Sequence, residues 1–103
     1  MRKIALFDVA ELDTDEIRRV DVDGLPPIAV CNLDGRFWAL ADTCTHGDAS
    51  MAEGMIEGNN IVCPYHSGSF DICTGKVTMG PCSIALKTYP VTVENGTVYL
   101  TET

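Results

Sequence analysis

Ile28-Ala29-Val30-Cys31-Asn32-Leu33, Asp34-Gly35, Arg36-Phe37-Trp38-Ala39-Leu40 is the stretch on which the fold turns. Two β-prone runs flank an Asp-Gly pair, which supplies the positive φ angles of a tight two-residue hairpin turn. Phe37 and Trp38 fall on opposite faces of such a hairpin, and both are expected to pack in the core. Cys31, among apolar neighbours, reads as a small core residue. The same device returns as Tyr89-Pro90-Val91-Thr92-Val93-Glu94, Asn95-Gly96, Thr97-Val98-Tyr99-Leu100, with Val91, Val93, Val98 and Leu100 at the period of two that half-buried strands require. Shorter strands are expected at residues 4–8, 20–22, 61–63 and 68–71. The acidic segment 10–19 is expected to hold one helical turn, opened by Thr14 with Asp15 and Glu16 behind it. Many short strands with frequent turn signals predict an all-β chain, a small antiparallel sandwich or barrel.

The chain has 103 residues, which suits one domain over 1–103 and leaves little surface to bury, so a metal staple would help it. Seven Lys and Arg against fifteen Asp and Glu give a net charge of −8. That balance argues against a nucleic-acid partner, which is gripped by clustered basic side chains, and against an anionic membrane surface. A basic protein partner suits it better. The longest apolar run, residues 37–41, is far short of the roughly 20 residues of a membrane span. The opening residues carry no sustained apolar stretch of the kind a secretion signal has, so a cytoplasmic location is expected. Five cysteines without an export signal favour metal binding or plain burial over a disulfide framework. Cys73 and Cys82 are accordingly expected to be free and structural. The acidic run 11–16 reads as a solvated face, whereas Met51 and Met55 could be either core or an exposed apolar rim.

Between the hairpins the chain changes character. Residues 42–81 hold six of the nine glycines, both histidines and three of the five cysteines. Within them Cys44-Thr45-His46 and Cys63-Pro64-Tyr65-His66 form two half-sites separated by sixteen residues, each offering one thiolate and one imidazole. Two sulfur and two nitrogen ligands can close a tetrahedral zinc site or hold an iron–sulfur cluster. No nucleophile–base pair or nucleotide-binding glycine motif stands out, so the chain is not expected to be an enzyme by itself.

The pattern C-x-H, sixteen residues, C-x-x-H resembles the Rieske [2Fe–2S] signature, in which two cysteines hold one iron and two histidines the other. Cys44-Thr45-His46-Gly47-Asp48-Ala49, Cys63-Pro64-Tyr65-His66-Ser67-Gly68-Ser69-Phe70-Asp71, Thr74-Gly75-Lys76 and Gly80-Pro81 are similar to the Rieske ferredoxins that serve bacterial aromatic-ring dioxygenases. The resemblance covers nearly the whole chain. It implies a Rieske-like fold with a cluster-binding loop subdomain at about residues 42–81. It implies one [2Fe–2S] cluster per chain, held by Cys44, His46, Cys63 and His66 and covered by a third loop at Gly80-Pro81, with Gly47, Gly68 and Pro81 shaping the cover. The implied role is one-electron transport from a flavin-containing NAD(P)H-dependent ferredoxin reductase to a terminal Rieske non-haem iron oxygenase. High-potential respiratory members of the family carry a disulfide between the ligand loops and hydroxyls against the cluster. Ala49 and Tyr65 stand at the disulfide positions here, and Gly68 and Phe70 at the hydroxyl positions, which implies a low reduction potential. A small subunit of a nitrite reductase-like enzyme and a zinc-stapled interaction module are the alternative readings.

Overall fold

The computed structural model describes residues 2–45, 49–64, 68–80 and 84–102, and among these the chain is built from strands and two short 3-10 turns. The strands are β1 (Arg2–Asp8), β2 (Ile17–Val20), β3 (Ile28–Leu33), β4 (Arg36–Ala41), β5 (Met55–Glu57), β6 (Asn60–Val62), β7 (Ser69–Asp71), β8 (Val77–Met79), β9 (Thr88–Tyr89), β10 (Val91–Glu94) and β11 (Thr97–Glu102). They form three antiparallel sheets, ordered β1-β11-β10, β2-β3-β4-β9 and β5-β6-β7-β8. The all-β class is as the sequence predicts.

Both hairpins close as expected. Leu33 pairs with Arg36 across Asp34 and Gly35, whose φ angles are +50° and +87°, and Glu94 pairs with Thr97 across Asn95 and Gly96 at +51° and +79°. The strand β3 at the heart of the middle sheet is buried on both faces. Ile28, Val30 and Ala39 pack with Phe7, Val98 and Leu100 of the first sheet. Ala29, Cys31 and Leu40 pack instead with Met51, Ile61, Phe70 and Ile72 from the third sheet and its approaches. Two-sided burial explains why β3 reads as an almost unbroken apolar run, since neither face of it meets water. Phe37 and Trp38 divide between the two cores, each half-buried.

The N-terminal segment departs from expectation. The helical turn lies at Val9–Glu11, earlier than Thr14, because Asp8 caps it: the Asp8 carboxylate accepts from the Ala10 N–H at 2.9 Å and Glu11 accepts from the Asp8 N–H at 2.9 Å. Asp15 instead takes a φ of +66°, and the chain then runs out as β2, whose register (Ile17 to Cys31, Val20 to Ile28) places that strand at Ile17–Val20 rather than at 20–22. Pairing with the central sheet outweighs the local helix signal. Within the acidic run the carboxylates are exposed, while Leu12 is buried with the second core. The strands β5 and β8 carry too few residues to show a period, and the sequence did not announce them; the arm expected over 89–94 divides at Pro90, with Thr88–Tyr89 pairing with β4 and Val91–Glu94 with β11.

Candidate metal centre

The two half-sites hang from the structure in the same way. In the first, Thr43 and Ser50 form a β-bridge, and the Cys44 N–H donates to the Ala49 carbonyl at 2.9 Å. In the second, Val62 and Ser69 pair at the ends of β6 and β7, and the Cys63 N–H donates to the Gly68 carbonyl at 2.7 Å. Each cysteine therefore opens a six-residue loop closed by its own amide. Both cysteines are buried, Cys44 at 3% and Cys63 at 2% exposure, and both belong to one apolar cluster with Ala49, Met51, Ile61, Phe70 and Leu86. That cluster is the floor of the site, and it keeps water away from the two sulfurs.

The loops are braced from behind. Ser50, six residues after Cys44, donates its hydroxyl to the Asp42 carboxylate at 2.6 Å; Ser69, six residues after Cys63, shares a hydrogen bond of 2.6 Å with Thr78. Thr45 donates its hydroxyl to the Ile84 carbonyl at 2.6 Å, tying the first loop to the segment that follows Gly80-Pro81. Gly54 passes so close to the carbonyl of Val62, just before Cys63, that any side chain there would strike the backbone. Sequence reasoning missed Asp42, Ser50, Ser69 and Gly54 in these roles. A readable signal was present for two of them, since Cys-x5-Ser occurs in both half-sites.

His46, Gly47, Asp48, Tyr65, His66, Ser67, Pro81 and Cys82 lie outside the described residues. Among the described residues no group of three or more metal-ligating side chains comes together, as expected when both histidines fall outside them. The donor set nevertheless fits the implied cluster. Two buried thiol residues stand in equivalent loops over one floor, and each loop carries one histidine in its sequence. Of the nearby acids, Asp42 is 2% exposed, whereas Glu53 and Glu57 face solvent, and Asp71 spends its carboxylate on the Cys73 and Thr74 N–H groups at 2.8 and 3.0 Å. Met51 is core and Met55 is 58% exposed, which resolves their two readings in opposite directions.

Cys31 shares the apolar floor but not the chemistry. Burial pushes its thiol up to about 12 from the ordinary 9.0, so it stays protonated and poorly nucleophilic. Cys73 carries an exposed free thiol. At pH 8 a thiol reagent is expected to label Cys73 rapidly and Cys31 only on unfolding; mass spectrometry of the folded protein checks this, and early labelling of Cys31 contradicts it. The same shift costs stability at high pH. Between about pH 9 and 12 the unfolded thiol ionises while the folded one cannot, so a Cys31→Ala variant loses less stability than wild type as pH rises through that window.

A sequence profile of the Rieske [2Fe-2S] domain matches residues 2–90. The 3-phenylpropionate/cinnamic acid dioxygenase ferredoxin subunit of Photorhabdus laumondii is 42% identical over 102 residues, covering 98% of this chain and 95% of its own. The structure of the Sphingomonas yanoikuyae B1 ferredoxin superposes with a TM-score of 0.93 at 41% identity, covering 99% of this chain and 100% of the other. A chain in the complex of reduced oxygenase and oxidized ferredoxin in carbazole 1,9a-dioxygenase superposes at 0.91 with 39% identity, over 95% of this chain and 91% of that one.

Proposed function

The chain belongs to the Rieske [2Fe-2S] domain family, and from that premise we propose that Cys44 and Cys63 hold one iron and His46 and His66 the other. It is a one-electron carrier with one [2Fe-2S] cluster, a ferredoxin of the kind found in aromatic-ring dioxygenase systems, and not itself an enzyme. When bound, the cluster supplies a single reversible electron. The observation that carries the ligand assignment is the pair of equivalent loops, each closed by its cysteine amide and each bearing one histidine. Residues 1–103 are one domain in this reading, with the cluster region at about 42–81. The test is a visible absorption and reduced-state EPR spectrum of the anaerobically purified protein. A brown protein with a mixed-ligand EPR signal is expected; a colourless protein holding stoichiometric zinc overturns the assignment.

Its partners in this reading are a flavin-containing NAD(P)H-dependent reductase as electron source and a terminal Rieske non-haem iron oxygenase as acceptor, all in the cytoplasm. The ferredoxin of carbazole 1,9a-dioxygenase forms a complex with its oxygenase, which supports the second partner. No helix among the described residues is long and apolar enough to cross a membrane. Exposed apolar side chains gather beside the loops. Met55 pairs with Val62, the residue before Cys63; Met79 pairs with Ser69, which closes that loop; and the carbonyl of Ile84 holds Thr45. These three are 58%, 60% and 63% exposed, and they suit a small, transient interface with the electron's exit at its centre. The net charge of −8 steers the molecule toward basic partners. Raising salt from about 0.05 to 0.5 M is expected to slow association with the reductase several-fold. A stopped-flow rate that does not change would remove the steering argument.

A further inference from the structure

Asp42 is an unexpected residue to find inside the protein. It is 2% exposed, and among the described residues no cation pairs with it. A carboxylate taken out of water is costly unless its oxygens are hydrogen-bonded, so its four bonds should reveal what it is kept for. Its backbone N–H donates to the Pro27 carbonyl at 2.9 Å, which fixes it to the start of the central strand. The other three bonds all cross the mouth of the loop 44–49. The Met51 N–H donates to its carbonyl at 2.7 Å, the Ser50 hydroxyl to Oδ2 at 2.6 Å, and the Ala52 N–H to Oδ1 at 2.9 Å.

The last contact is telling. Met51–Glu53 is a 3-10 turn whose own N-cap residue, Ser50, makes no side-chain cap. Asp42 does that work from ten residues upstream, and Ser50 turns its hydroxyl to Asp42. A local cap would satisfy the turn equally well but would add no side-chain tie to the backbone bonds, Thr43 with Ser50 and Cys44 with Ala49, that already join the two ends of the loop. The second ligand loop has three paired residues of β6 and β7 along its base, whereas strand pairing at the base of the first is the single Thr43–Ser50 bridge.

We propose that Asp42 is a positioning residue for the cluster: its buried carboxylate ties the chain before Cys44 to the chain after Ala49 and so fixes the base of the loop from which Cys44 would hold the metal. The inference rests on the reading of Cys44 and His46 as ligands. It is tested on holo-protein by comparing Asp42→Ala, Asp42→Asn and Ser50→Ala with wild type. The readouts are the rate of cluster release to a chelator, measured well below every unfolding midpoint, and the g-values of the reduced protein. Asp42→Ala is expected to release the cluster about tenfold faster with shifted g-values, Ser50→Ala a few-fold faster, and Asp42→Asn, which keeps an acceptor for Ala52, to lie nearer wild type. Wild-type release and g-values in Asp42→Ala overturn the proposal even if the unfolding midpoint falls. Should that variant not fold, the same result in both Ser50→Ala and Asp42→Asn overturns it. A wild-type protein without a mixed-ligand EPR signal overturns the ligand reading itself, an outcome the variants cannot imitate.

Discussion

His66→Ala is expected to give a protein without visible colour. His66 is one of only two histidines in the chain, so no other imidazole is available to replace it. Loss of residues that merely orient a ligand costs 10- to 100-fold in metal affinity, and loss of the ligand itself would leave the cluster one protein donor short. The fold should survive, because the substitution leaves intact the buried residues that join the middle and third sheets, among them Leu40, Ile61, Phe70 and Ile72. Circular dichroism should therefore still report β-structure while the visible absorbance and the reduced-state EPR signal vanish. Full visible absorbance in this variant would contradict the ligand assignment. A structural zinc site would give a different pattern, with no colour to lose in either protein.

The parts of this molecule that were legible in advance are those whose chemistry is local. Asp34-Gly35 and Asn95-Gly96 specify their turns by φ alone, and both hairpins fall where those pairs place them. The family was legible because cysteines and histidines at this fixed spacing have few other uses. What was hidden depends on contacts distant in sequence. The segment 10–19 contains a plausible helix start, yet Ile17–Val20 is drawn into the sheet by β3, which begins only at Ile28. Asp42 read as one acid among several, because nothing nearby tells that it will be covered by the core and bonded to Ser50 and Ala52. Gly54 was one of six glycines between the hairpins, and its own need arises only once β6 lies against it. Sequence shows what a residue can do, whereas burial decides which of those things it does.

Burial also bears on the second large effect, the reduction potential. Replacing two thiolates by two imidazoles removes two negative charges from the ligand set, so the electron enters a neutral centre rather than one that already carries charge −2. The general result is a range of roughly −150 to +300 mV for such centres against about −400 mV for plant-type ones. At 59 mV per tenfold for one electron, even the low end is favoured by about ten-thousandfold in reduction. Within that range this chain belongs near the bottom. Gly68 and Phe70 stand where family members of high potential place hydroxyls, and Phe70 is a fully buried hydrocarbon with nothing to donate. No cysteine stands at 49 or 65 to bridge the loops. Asp42 adds a carboxylate two residues from Cys44 whose field solvent does not screen, unlike those of the exposed Glu53 and Glu57. All three act in the same direction, disfavouring the reduced state. Spectroelectrochemical titration should therefore place the midpoint near −150 mV; a value well above 0 mV would mean that donors from the loops themselves dominate the field at the sulfurs.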